Sequence, residues 1–334
     1  MKVIYFAEEA WEEQYVRGKY PEGDLTFVVG PVQDSDVTDD EAEVLSVFVN
    51  SKVTASVMER FPKLRLIATR STGFDHIDIT EAKTRGITVA TVPTYGANTV
   101  AEYAFALLLA LSRRVSAAHA QVAQQGSFSQ DGLRGFDLEG KTIGVVGSGH
   151  IGVHAIKIAK GFGMKVVVYD AFQNADVARE FDFTYVPLEQ LLAESDVITI
   201  HVPYNKDTHH LINADTIARM KKNVYLINTA RGAVVDTKAL VAALEKGQFG
   251  GVGLDVLEDE GDTFDESKLL LAEHPQEEAL KDVLENQYLM HHPRVIVTPH
   301  IAFDTTEAIE RILDTTLENI VAFEHGEAKN VLAA

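Results

Sequence analysis

The stretch KTIGVVGSGHIGVHAIKIAKGFGMKVVVYD, residues 141–170, constrains the fold more than any other part of the chain. An almost continuously apolar run, Ile143 to Val146, ends at Gly147, Gly149 and Gly152, where a helical pattern starts at once. A second apolar run follows and closes on Asp170. Strands that are apolar on both faces belong to parallel sheets covered by helices on either side. A strand, a tight glycine turn, a helix and another such strand are the opening of a doubly wound α/β sheet.

The same rhythm fills the chain. KVIYFA, LTFVVG, VLSVFV, LRLIATR and ITVATV fall in the first hundred residues; KTIGVVG, MKVVVYD, DVITIHV, NVYLINTA, GVGLDV and RVIVT come later. Two such sets, in a chain of 334 residues, predict two doubly wound parallel-sheet domains of Rossmann or flavodoxin type, class α/β. NTVAEYAFALLLALSRRVSAAHAQVAQQ (98–125) reads as one long helical stretch between them, either an ordinary core helix or one that packs on a second subunit. In DTTEAIERILDTTLENIVAFEHG (304–326), Ile309, Ile312, Leu313, Leu317, Ile320 and Val321 share one helical face. Asp304 and Glu307 have the spacing of a capping box, and Gly326 is a natural stop. A lone helix after the last strand can return to the first domain. The expected division is 1–98 with 302–334 as one domain and 99–301 as the other. Residues 259–293 break the rhythm with an acidic segment of helical patches.

Composition narrows the function. Thirty Lys and Arg against fifty Asp and Glu give a net charge of −20, which argues against a nucleic-acid or anionic-membrane surface. Cysteine is absent, excluding disulfides and thiolate chemistry. The apolar run AFALLLAL is far shorter than the ~20 residues a bilayer requires. A cytoplasmic protein is expected. The histidine pairs 209–210 and 291–292 read as solvated loop residues, so no metal is expected.

Each part of the glycine turn has a physical task. Gly147 permits the turn, Gly149 lets backbone approach a pyrophosphate, and Gly152 lets the helix pack on its strand. The helix N-terminus offers unpaired N–H groups to phosphate. Asp170 suits ribose hydroxyls and repels a 2′-phosphate, and no arginine follows it in DAFQN, so NAD is expected over NADP. Three further polar residues stand at strand exits: Arg231 in INTARG, Asp255 in GLDV with Glu258, Asp259 and Glu260 after it, and His300 in VIVTPH. Strand exits line the ligand crevice of such a sheet. A histidine can deliver a proton to a reducing carbonyl, a carboxylate can hold it charged, and an arginine can grip a substrate carboxylate.

VVGSGHIG, HVPYNKDTHHLIN, NTARGAVVD, GLDVLEDE and TPHIAF, in this order and spacing, resemble the D-isomer-specific 2-hydroxyacid dehydrogenases over essentially the whole chain. The resemblance implies Arg231, Glu260 and His300 as catalytic residues. It implies substrate contacts from Thr72 and Gly73 in RSTGFDHID, Tyr95 in VPTYG, and Arg231, His300 and Phe303. It implies cofactor contacts from Gly147, Gly149, His150, Ile151, Gly152, Asp170, His201, Val202, Pro203, Thr229, Ala230 and Asp255. A domain split between both chain ends, an inserted NAD domain and a homodimer through it also follow. Within the family, STGFDHID, VPTYG, the acidic insert and Phe303 resemble the D-lactate dehydrogenase branch. Pyruvate is the expected substrate, with 2-ketobutyrate, phenylpyruvate, glyoxylate and hydroxypyruvate as alternatives. Corepressors of the C-terminal-binding-protein type, which use this fold as an NADH-dependent platform, are a second class of reading.

Overall fold

The computed structural model describes residues 1–258 and 277–332. The acidic insert is described only from Glu277 onward, mostly as the helix Glu277–His291, and Asp259 and Glu260 lie outside the described residues. The chain divides into two compact units, Met1–Tyr95 with Thr305–Ala334, and Gly96–Asp304.

The first unit is a five-stranded parallel sheet of β1 (Lys2–Ala7), β2 (Asp24–Val29), β3 (Val44–Val47), β4 (Leu66–Thr69) and β5 (Thr88–Ala90), in the order β2-β1-β3-β4-β5. Successive side chains leave a strand on opposite faces, and each face finds its own core. Ile4, Phe6, Leu45, Val47 and Ile67 pack with Val57, Met58 and Phe61. Val3, Tyr5, Val44, Leu66 and Ala68 pack with Leu313, Leu317 and Ile320 of the C-terminal helix Thr306–Glu324. That two-sided burial is why Val3 to Ala7 of β1 form an unbroken apolar run.

The expected cap of this helix is off by one residue. Thr305, extended at φ −132° and ψ 154°, caps it by accepting from the Ala308 amide, while the Asp304 amide closes a turn on Ile301. Gly326, at φ +82°, ends the helix. The tail then returns to the sheet, where the Leu332 amide donates to Val89.

The second unit is a seven-stranded parallel sheet of β6 (Thr142–Val146), β7 (Lys165–Tyr169), β8 (Thr184–Tyr185), β9 (Val197–Ile200), β10 (Val224–Asn228), β11 (Phe249–Leu254) and β12 (Val295–Val297). Its order is β12-β11-β10-β9-β6-β7-β8, with the winding reversing at β6. β8 is two residues long and carries no periodic signal in the sequence. The helical stretch expected over 98–125 is two helices, Ala97–Ser112 and Val115–Gln125. Arg114 adopts φ +55° between them, and the Ser112 carbonyl accepts from Phe136 instead of continuing the helix. Leu107, Leu108 and Leu111 of the first helix are buried in this unit's core. No helix of the described residues is long and apolar enough to cross a membrane.

Candidate active site

The turn after β6 is shaped by backbone proximity. Gly147 sits at φ +97°, and a Cβ there would lie 2.6 Å from the His201 carbonyl oxygen. A Cβ on Gly152 would lie 2.0 Å from the Gly147 carbonyl oxygen, so the helix His150–Gly161 can approach β6 only through glycine. Gly149, by contrast, faces open space and caps the helix with no side chain. The His150 and Ile151 amides donate to no acceptor among the described residues. An uncapped helix N-terminus behind an open glycine is a site made for phosphate.

At the end of β7, one Asp170 oxygen accepts from the Ser148 amide and hydroxyl at 2.6 and 2.8 Å, and the other accepts from the Phe172 amide at 2.8 Å. The carboxylate is thereby fixed beside the glycine turn. His201, at the exit of β9, is buried; its Nε2 lies 2.9 Å from the Thr199 hydroxyl and its Nδ1 has no partner among the described residues. Burial pushes its pKa down to about 4, so the ring is neutral. Val202 and Pro203 continue outward from it, half-buried and exposed.

β10, β11 and β12 are adjacent, so Arg231, Asp255 and His300 stand at three neighbouring exits. The turn at Arg231 is built on Asn228, fully buried, whose amide oxygen accepts from the Ala230 N–H at 3.0 Å and whose Nδ2 donates to the Arg231 carbonyl at 2.9 Å. The Arg231 guanidinium folds back to donate to the Ala230 carbonyl at 2.8 Å. Thr229 is buried, and its hydroxyl has no partner among the described residues. Gly232 packs so closely on β11's exit that a Cβ would meet the Leu257 and Glu258 backbone at 2.1–2.3 Å.

Asp255 is the hub of the next two exits. One of its carboxylate oxygens accepts from the Thr298 hydroxyl at 2.6 Å and the Ile301 amide at 3.0 Å; the other accepts from Ala302 at 2.8 Å. Burial raises its pKa against the pull of those donors. His300 lies in this turn at φ +52°, with the Phe303 ring 6.5 Å away at 76°. Glu258 has both oxygens engaged, one with His210 Nε2 at 2.7 Å and one with the Thr237 hydroxyl at 3.0 Å.

In the first unit, β4 runs out into Ser71, Thr72 and Gly73. The Thr72 hydroxyl donates to the Val92 carbonyl at 2.7 Å, and the Val92 amide donates to the Ser71 carbonyl at 2.9 Å. This pairing sets the Thr72–Gly73 loop beside the VPTYG segment, where the Tyr95 carbonyl accepts from Arg311 Nε at 2.5 Å. The Thr72 and Gly73 amides donate to no acceptor among the described residues.

Asn228, Ser148 and Thr298 are the residues that sequence reasoning missed. An asparagine between an apolar strand and a turn is a signal in itself, because its side chain bonds the backbone two residues on.

A parallel sheet with an open glycine turn at a helix N-terminus, a carboxylate fixed beside it, and arginine and histidine at neighbouring exits is the arrangement of a dinucleotide-linked oxidoreductase. Residues 105–302 match the family model described as D-isomer specific 2-hydroxyacid dehydrogenase, NAD binding domain. The chain is 36% identical over 333 residues to a 2-hydroxyacid dehydrogenase homolog of Haemophilus influenzae, covering 98% of this chain and 97% of that one. It is 38% identical over 290 residues to a glyoxylate reductase of Korarchaeum cryptofilum, covering 86% and 81%. The crystal structure of D-lactate dehydrogenase from Aquifex aeolicus complexed with NAD and lactic acid superposes with a TM-score of 0.83 at 38% identity, covering 98% and 96%. The protein belongs to the D-isomer-specific 2-hydroxyacid dehydrogenases. It is an NAD-dependent oxidoreductase with D-2-hydroxyacid dehydrogenase activity.

Proposed function

We propose that the enzyme reduces a short 2-keto acid, pyruvate above the others, to the D-2-hydroxy acid. The observation that carries the preference is the Phe303 ring standing beside His300 in a turn pinned by Asp255. A large ring next to the proton donor favours a methyl over a bulkier substituent. The solved D-lactate dehydrogenase with bound lactic acid, similar over nearly the whole chain, supports the same reading.

The His150 and Ile151 amides and the open Gly149 would hold the cofactor's pyrophosphate, Asp170 its ribose, and the segments 201–203 and 229–230 with Asp255 the remainder. NADH, when bound, supplies the hydride that reduces the keto carbon. The Thr72 and Gly73 amides and Arg231 hold the substrate carboxylate, Arg231 also polarises the ketone, Tyr95 lines the pocket, and His300 donates the proton to the oxygen. Glu260, outside the described residues, is assigned to keep His300 charged. We assign the 1–98 and 302–334 segments to substrate and 99–301 to NAD. The chain works as a homodimer through the NAD unit, a reading supported by the apolar Val115, Val122 and Phe128 left exposed along its surface.

The test is NADH oxidation at pH 6–7 across pyruvate, 2-ketobutyrate, phenylpyruvate, oxaloacetate, glyoxylate and hydroxypyruvate, with chiral analysis of each product. A dominant pyruvate rate yielding D-lactate is expected. A higher kcat/KM for glyoxylate or hydroxypyruvate would move the assignment to the activity of the glyoxylate reductase relative.

A further inference from the structure

The two amides after β4 that meet no acceptor among the described residues belong to peptide planes held from outside. The Ser71–Thr72 peptide is fixed on both sides of Thr72, its carbonyl by the Val92 amide at 2.9 Å and the Thr72 hydroxyl on the Val92 carbonyl at 2.7 Å. The Gly73–Phe74 peptide is held at its carbonyl, which accepts from the Ser71 hydroxyl at 2.6 Å. Between them lies the Thr72–Gly73 peptide, which carries the Gly73 N–H. Glycine has no Cβ to limit its rotation, so the Ser71 tether is what keeps that N–H in place.

The tether has a direction. Ser71 spends its one hydroxyl proton on Gly73, so at 2.7 Å it accepts from the Thr69 hydroxyl. Thr69 has thereby spent its own proton, so at 3.1 Å it accepts from Nε2 of His76. Thr69 and Ser71 are 0% and 3% exposed, so water does not compete for the two hydroxyls. His76 is itself anchored, its carbonyl accepting from the Val53 amide at 2.9 Å.

We infer that His76, acting through the Thr69 and Ser71 hydroxyls, is a positioning residue that fixes the Gly73 peptide for the substrate carboxylate. The inference rests on the proposal that the Thr72 and Gly73 amides take that carboxylate. A crystal structure of the wild-type enzyme with NADH and oxamate tests the underlying proposal: the oxamate carboxylate is expected on both amides, and its absence from them overturns proposal and inference together. The relay is tested with Ser71→Ala, His76→Leu and His76→Gln, the last retaining an N–H donor of similar reach. Keto-acid KM, kcat, the NADH dissociation constant and Tm are measured for each.

Loss of one net hydrogen bond predicts a rise in keto-acid KM of roughly 3- to 10-fold for Ser71→Ala and His76→Leu. NADH affinity is expected to stay within about 2-fold, and His76→Gln to restore most of the loss. Unchanged KM in Ser71→Ala overturns the relay while leaving oxamate binding intact. A fall in Tm with no change in KM, or no rescue by glutamine, assigns His76 a merely structural role. Should His76→Leu fail to fold, Ser71→Ala and His76→Gln decide the matter.

Discussion

Asp255 holds His300 through the backbone. Its carbonyl accepts the His300 amide at 2.8 Å, and its carboxylate accepts the amides of the next two residues, Ile301 at 3.0 Å and Ala302 at 2.8 Å. These bonds offset the cost of a left-handed conformation at His300, φ +52°, which a residue with a Cβ adopts only when its surroundings impose it.

Asp255→Asn replaces one acceptor oxygen with an N–H₂ donor, so a buried amide of the turn meets a donor. The expected cost is about 1–3 kcal/mol. If the turn positions the proton donor, kcat falls more than NADH affinity does. His300→Asn is the companion variant: asparagine tolerates the left-handed region, so Tm should hold while the rate drops by roughly 10²–10⁴-fold. Urea unfolding and steady-state kinetics check both. A His300→Asn enzyme of near-normal turnover would remove the histidine from the chemistry.

Gly232 couples the arginine exit to its neighbour. A Cβ there would lie 2.1 Å from the Leu257 carbonyl carbon and 2.3 Å from the Glu258 nitrogen, both backbone atoms that cannot rotate aside. Gly232→Ala must therefore push the Arg231 turn off β11. A shift of about 1 Å in a positioned group costs on the order of 10²-fold in rate, so kcat/KM should fall by at least ~10-fold. NADH binding, read by titration, should weaken as well, because residues 229–230 of the same turn are assigned to the cofactor; unchanged kcat/KM and NADH affinity would show that the turn absorbs the methyl.

Arg70 is the largest fully buried side chain of the first unit. It donates to the Phe6 carbonyl at 2.5 Å, lies 3.8 Å from both Glu8 and Glu12, and stands 4.4 Å over the Tyr5 ring. Glu12 has one oxygen on the Glu8 and Glu9 amides and the other on Tyr5. Removing the cation strands a carboxylate that is 4% exposed. Arg70→Met should lose roughly 3–5 kcal/mol, and the double variant Arg70→Met, Glu12→Gln should recover part of it. Equal denaturation midpoints for Arg70→Met and wild type would show that the cluster contributes nothing.

The fold was legible because its signals are local and strong. Two-sided burial writes unbroken apolar runs into β1, β6 and β10, and the glycine turn is written in three residues whose spacing has a steric cause. What stayed hidden depends on atoms distant in sequence. The break at Arg114 exists because Phe136 claims the Ser112 carbonyl, and nothing between 98 and 125 announces a partner beyond residue 130. β8 is too short to carry a period. At the site, types and positions were visible at the strand exits, whereas their supports were not. Asp255 reads as a charged residue near a cofactor, yet the bonds that define its place run to residues 298–302. Thr69, Ser71 and His76 are unremarkable letters until their hydroxyls and ring line up.

His201 makes stability depend on pH in a definite direction. Its pKa falls from 6.5 to about 4 on folding because burial disfavours the charged ring. Below pH 6.5 the unfolded chain therefore binds a proton that the folded chain does not, and stability falls as pH drops from 6.5 towards 4. The loss approaches roughly 1.4 kcal/mol per pH unit, or about 2 kcal/mol by pH 5. His201→Asn cannot take up that proton, so its Tm should fall less than the wild type's between pH 7.5 and pH 5. Parallel Tm profiles for the two proteins would mean that the ring is protonated in the folded state, and that its Nδ1 has found an acceptor on charging.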